Sequence, residues 1–182
     1  MNKRLRMILV LTLFACISGV ALALVFMVSS PLIEANLLEE LKKSIFLVVP
    51  DAKDYEEKKS EEITYFECSD RSGSMVGIAF PVQGNGYQGV IKIMVGLTPD
   101  LESITGIKVL EQVETPGLGG RIGEDSFQDQ FKGIRTEPAV EYVKNKAPEN
   151  NNQIQAITGA TISTRSVVKI INKNVKLLKD IL

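Results

Sequence analysis

Histidine is absent from this 182-residue chain. That excludes His-ligated zinc, copper and haem, and it excludes Ser-His and Cys-His nucleophile pairs. Cysteine is scarce. Cys16 and Cys68 are the two thiols, too few for an iron–sulfur cluster within the chain. One lies in an apolar N-terminal run and the other far outside it, so a bridge between them is not expected; both read as free, buried thiols. An excess of basic residues is also lacking. The net charge is −1, which offers no footprint for nucleic acid. Redox chemistry, if the chain takes part in any, has to come from an organic cofactor.

Apolar residues are plentiful but uneven. Met7 to Val28 carries no charge. As a helix it rises about 33 Å, enough for a hydrocarbon core of roughly 30 Å. Ala21-Leu22-Ala23 imitates a signal-peptidase site, but the apolar run continues through Leu24 to Val28, so a retained anchor is expected. Lys3, Arg4 and Arg6 precede the run, while Glu34, Glu39 and Glu40 follow it. The positive-inside rule puts the N-terminus in the cytoplasm and the rest in the periplasm or outside the cell. The expected division is a tip and transmembrane anchor over 1–29 and an extracytoplasmic domain over 30–182.

Pro31 can open a second helix. Ile33, Leu37, Leu41 and Ile45 form an apolar stripe on it that is expected to pack on the domain, and Pro50-Asp51 ends it. The charged stretch Asp51 to Glu62 reads as a solvated linker or turn. Strands are expected over Ile63–Cys68, Ser74–Val82, Gly89–Leu97 and Ser103–Glu111, with a turn at Gln83-Gly84-Asn85-Gly86. Ile91, Ile93, Val95 and Leu97 share one face of the third. A short helix over Asp125–Phe131, a loop over Pro148–Asn152 and a last strand over Ile154–Ile157 follow. A helix from about Ser163 to Leu182 closes the chain, with Val167, Val168, Ile171, Val175, Leu178 and Leu182 on its apolar side. The class is α+β: a twisted antiparallel sheet with packed helices behind a single N-terminal transmembrane helix.

Two segments carry candidate chemistry. Thr158-Gly159-Ala160-Thr161-Ile162-Ser163-Thr164 joins a short strand to the final helix. A helix start offers unpaired N–H groups and a partial positive charge, which suit a phosphate. Read by itself, the segment is an ordinary N-cap, since hydroxyls at helix starts are common. Glu114-Thr115-Pro116-Gly117-Leu118-Gly119-Gly120, followed by Gly123, lets a backbone approach a ligand closely, or is a plain glycine-rich surface loop. It lacks the Gly-Lys-Ser/Thr end of a P-loop and the spacing of a dinucleotide fingerprint.

Taken together, the basic tip, the single span, the strand-rich domain, ETPGLG and TGATIS resemble the FMN-binding subunits of ion-pumping electron-transfer complexes. The resemblance is to the G subunit of the Rnf complex, an ion-translocating ferredoxin:NAD oxidoreductase, and it covers nearly the whole chain. Residues 158–163 match that family's Ser/Thr-Gly-Ala-Thr-x-Ser/Thr motif. The resemblance implies FMN joined as a phosphoester to Thr161. It also implies that Gly159 and Ala160 leave room for the phosphate, that Thr158 and Ser163 hydrogen-bond near it, and that Glu114, Thr115, Gly117, Leu118 and Gly119 lie against the ribityl chain or ring. It implies an electron relay that is not catalytic alone, membrane and iron–sulfur partner subunits, and a flavin transferase drawing FMN from FAD. Gln112 departs from the family, which often carries a histidine there. The C subunit of the sodium-translocating NADH:quinone reductase shares the anchor and threonine motif but is usually longer. A pilin-like structural protein is the non-redox alternative, although its processing pattern is missing.

Overall fold

The computed structural model describes residues 2–60 and 63–182; Glu61 and Glu62, the end of the expected linker, lie outside them. By contacts the chain divides into two units, Met1–Lys42 and Lys43–Leu182. The first belongs to α1, Lys3–Val48, which is long and apolar enough to cross a membrane. Pro31 does not open a second helix but lies inside α1. Its ring costs one backbone hydrogen bond, and the good helix formers that follow, Leu32 to Lys43, carry the helix on. Of the expected stripe only Ile45 is buried; Ile33 and Leu37 are exposed and Leu41 is half-buried. Cys16 is exposed on α1, whereas Cys68 is buried.

The second unit is built on an antiparallel meander in the order β1-β2-β3-β4-β5. The strands are β1 Asp54–Lys59, β2 Thr64–Ser69, β3 Met75–Asn85, β4 Val90–Leu97 and β5 Ile104–Glu111. Two expectations fail here. The charged stretch holds β1, an edge strand that presents charges to solvent while Tyr55 and Lys58 are half-buried. Such charge on an edge keeps another chain from adding to the sheet. The expected turn at Gln83–Gly86 is mostly strand, since β3 runs on through Asn85 against Val90.

Strand periodicity sorts the sheet into two faces. Ile78, Phe80, Val82, Ile91, Ile93, Val95 and Leu97 belong to one core, into which α3, Thr161–Ile181, sends Val167, Val168, Ile170, Ile171, Val175 and Leu178. Leu182, expected on that stripe, is exposed. Fully burying side chains of this kind contributes about 1.5–3 kcal/mol each. The other face carries Phe66, Cys68, Gly77, Ala79, Met94, Gly96 and Gly106, and it is covered by Val48 at the end of α1 and Val49 just beyond it. The glycines form a furrow: Val48 lies over Gly96 and Gly106, Val49 lies over Gly77, and Thr105 Oγ1 donates to the Val48 carbonyl at 2.5 Å.

The chain from β5 to α3 is mostly short turns. A 3-10 turn spans Gly119–Gly123, α2 spans Asp125–Gln128 and a second 3-10 turn spans Asp129–Phe131. Two short strands, β6 Glu141–Val143 and β7 Gln153–Gln155, pair in parallel; β6 had no signal in the sequence. Asn172 of α3 exchanges two hydrogen bonds with the backbone of Val140, tying β6 to the middle of the helix.

Candidate functional site

The start of α3 is an open helix end. Thr161 is its first residue, two positions earlier than the apolar period indicates. Ala160 stands at the N-cap and supplies no side-chain hydrogen bond. The N–H groups of the first turn therefore face outward without a cap, carrying the positive end of a 21-residue helix. Gly159 turns the chain into the helix at φ +83°, a conformation that disfavours any Cβ. Behind the opening, Thr164 Oγ1 accepts the Ile157 N–H and donates to the Ala160 carbonyl, both at 3.2 Å, so the turn is braced from inside.

The ETPGLG loop reaches this helix end through Glu114, which is 4% exposed. Its Oε1 accepts the backbone N–H of Tyr87 at 2.8 Å and of Gln88 at 3.0 Å. Its Oε2 accepts the Ser163 hydroxyl at 2.5 Å. One carboxylate thus ties the β3–β4 turn, the glycine loop and α3. Burial is the largest single influence on its acidity and pushes it up. The Ser163 hydroxyl and the N–H groups of Gln88, Tyr87 and Gly89 together outweigh burial and hold the carboxyl below the usual glutamate range. Gln112 Oε1 accepts the Glu114 N–H at 2.6 Å, and the Thr115 carbonyl accepts from Leu118 and Gly120, which curls the loop.

These segments enclose a cleft of about 410 Å3, lined by Glu114, Thr115, Leu118, Gly119, Gly159, Ala160, Thr161, Ile162, Ser163 and Tyr87. Small-molecule sites run from roughly 300 to 1,000 Å3. The rim is apolar: Tyr87 is 65% exposed, Leu118 48% and Ile162 46%. Tyr87 and Ile162 carried no signal in the sequence; a large apolar residue beside TGAT or in a glycine-bounded turn is unremarkable until the fold brings both to one opening.

Most of the expected residues meet in this cleft, and two do not line it. Thr158 is exposed on the far side of Gly159 and lines a different groove with Arg121, Phe127 and Gln155. Gly117 lies outside the lining; it takes φ +75°, with open space where a Cβ would stand. Ser163 lines the cleft, but its hydroxyl is spent on Glu114. Gly119 is small for a reason internal to the loop, because a Cβ there would sit 2.5 Å from Ser163 Oγ and 2.7 Å from Glu114 Oε2. No hydrogen bond engages the Thr161 hydroxyl among the described residues.

Known proteins share this architecture. Residues 86–176, which contain the whole cleft, match the FMN-binding domain family. The G subunit of the proton-translocating ferredoxin:NAD(+) oxidoreductase complex of Clostridium ljungdahlii is 30% identical over 91% of this chain and 86% of its own length. The G subunit of the ion-translocating oxidoreductase complex of Methanosarcina acetivorans is 29% identical over 93% of this chain and 92% of its own. The C subunit of the Na(+)-translocating NADH-quinone reductase of Vibrio vulnificus is 34% identical over 52% of this chain but only 39% of its own. Among solved structures, NqrC of Shewanella oneidensis superposes with a TM-score of 0.58 at 24% identity, over 69% of this chain and 66% of that one, a likeness of fold.

Proposed function

Because the chain belongs to the FMN-binding domain family and, over most of its length, to the G subunits of ion-translocating oxidoreductase complexes, we propose that it carries FMN as a phosphoester on Thr161 and relays electrons within such a complex. It is a flavin-binding oxidoreductase subunit, and its partners are the other subunits of that complex. The single observation that carries the attachment is the position of Thr161, whose hydroxyl is unengaged among the described residues at the first position of an uncapped helix.

The residues present fit the group. The first-turn N–H groups and the helix dipole face the place where a phosphoester on Thr161 would lie, and Gly159 keeps side-chain bulk away from it. Tyr87, Leu118 and Ile162 offer an apolar rim to a flat ring system. Thr115 and Gly119 line the wall between, while Gly117 at φ +75° and the Leu118 N–H bonded to the Thr115 carbonyl shape the loop. Bound FMN supplies a ring that takes up and returns one or two electrons, so a two-electron donor can serve one-electron acceptors. Glu114 holds the walls of the cleft in register, and its fixed charge disfavours added negative charge nearby.

Attachment requires a flavin transferase with FAD as donor. The α1 span anchors the chain, and Lys3, Arg4 and Arg6 set an N-terminus in the cytoplasm and a flavin domain outside it. The domain division that goes with this is 1–29 for tip and anchor and 30–182 for the flavin domain. Membrane and iron–sulfur subunits are the electron partners.

Intact mass of the chain co-expressed with a transferase tests the reading. Wild type gains one FMN less water, and Thr161→Ala gains nothing and is colourless. An adduct that persists on Thr161→Ala overturns the site. A reporter active only outside the cytoplasm, fused after Leu182, reports activity if the orientation is right; activity of a cytoplasm-only reporter there overturns it.

A further inference from the structure

The helix start carries more hydroxyls than one attachment needs: Thr158, Thr161, Ser163 and Thr164 all lie within 158–164. The fold treats each differently. Thr158 faces the neighbouring groove. Thr164 is fully buried, with its oxygen engaged by Ile157 and Ala160. Thr161 is half-buried at the cleft and unengaged among the described residues. Ser163 is the real competitor, because it too lines the cleft. It is 3% exposed, and its hydroxyl points at Glu114.

We propose that Glu114 confines flavin attachment to Thr161 by holding the Ser163 hydroxyl inside the loop–helix junction, an inference that rests on the covalent attachment proposed above. In the step concerned, a hydroxyl oxygen attacks the FMN-side phosphorus of FAD. The new P–O bond forms, the pyrophosphate bond to AMP breaks, AMP leaves with the electron pair and the hydroxyl proton passes to solvent. An oxygen that attacks needs a lone pair aimed at phosphorus and room for the tetrahedral group. Donating its proton to Oε2 leaves Ser163 its lone pairs but fixes Oγ inside the junction, where Gly119 closes over it and leaves no room for a tetrahedral phosphorus. The pair holds the serine and does not activate it. The N–H groups of Tyr87 and Gln88 draw on the same carboxylate, leaving it a weak base. Glu114 is a positioning residue in this scheme, since it touches no reacting atom.

The experiment is peptide mapping of the flavin on the full-length chain co-expressed with a transferase. Wild type carries it on Thr161 alone. Glu114→Ala releases Ser163, and flavin appears on Ser163 at on the order of tenfold or more above the detection floor that wild type does not exceed, the factor a hydrogen bond to a charged group is worth. Glu114→Gln restores selectivity, because its amide still occupies the serine oxygen. A purely structural role for Glu114 would alter loading without moving the site. Should Glu114→Ala not fold, Glu114→Asp serves, since it keeps the charge but is one methylene too short to reach both the Tyr87 and Gln88 N–H groups and the Ser163 hydroxyl; it too leaks label to Ser163. Flavin on Thr161 alone in every folded variant overturns the proposal, as does Ser163 labelling in wild type. A wild-type chain with no flavin overturns the covalent reading and this inference with it, and that result is distinct from the other two.

Discussion

Substituting Gly96 probes the seat that joins the end of α1 to the sheet. An alanine Cβ at this position would lie 2.5 Å from Thr105 Oγ1 and 2.8 Å from the Val48 carbonyl carbon. Backbone is the obstacle, so no rotamer change relieves it. Overpacking of this kind costs about 1–3 kcal/mol. Displacing Thr105 also removes its hydrogen bond to the Val48 carbonyl, about 1 kcal/mol more. Replacing glycine stiffens the unfolded chain and returns about 0.4–1 kcal/mol. The net loss is roughly 1–3.5 kcal/mol. At about 3–4 °C per kcal/mol for a domain of this size, Tm falls by roughly 3–14 °C. Thermal unfolding of the full chain in detergent, followed by circular dichroism, measures it. Gly106→Ala is the graded companion, since its Cβ would sit 3.3 Å from Val48 and needs only a small shift. Gly123→Ala is the control, with nothing within 4 Å. A Gly96→Ala chain within about 1 °C of wild type, or one more stable than Gly106→Ala, would refute the furrow as a close-packed seat.

Three further outcomes are expected. Glu114 has a depressed folded pKa, so its contribution to stability is fully present above the ordinary glutamate value of 4.5 and is lost as pH falls through the depressed value; Glu114→Gln flattens that part of the stability–pH curve below 4.5, and identical acid limbs for the two chains would contradict it. Burial pushes the Cys68 thiol up to about 11, so iodoacetamide at mildly alkaline pH leaves it unmodified in the folded chain and reacts with it after denaturation, as peptide mass spectrometry reads. Gly159→Ala strains a φ of +83° and sets its Cβ 3.3 Å from Leu118, which costs about 1–2 kcal/mol; it lowers flavin loading by mass, whereas equal loading and equal Tm would mean the turn tolerates a side chain.

Local physics made much of the molecule legible from sequence. The uncharged run from Met7 to Val28, the alternation of Ile91, Ile93, Val95 and Leu97, and the apolar period from Val167 to Leu178 each report their own element, because burial on one side leaves a period in the residues themselves. TGATIS and ETPGLG were visible as short segments for the same reason: small residues and hydroxyls at a helix start, and glycines where a chain must curl. What the sequence could not carry was pairing across distance. β1 is a strand because β2 lies beside it, and its own charges read as a linker. Pro31 reads as a helix start, yet the helix formers around it carry α1 through. Gly119 is small because Ser163 and Glu114 meet over it, and those two residues are 49 positions apart. Sequence alone therefore determined which residues were candidates. Tertiary structure decided which hydroxyl is held and which is unengaged, which threonine faces the cleft, and that Tyr87 and Ile162 share its rim, because each of these depends on contacts between segments that no local period encodes.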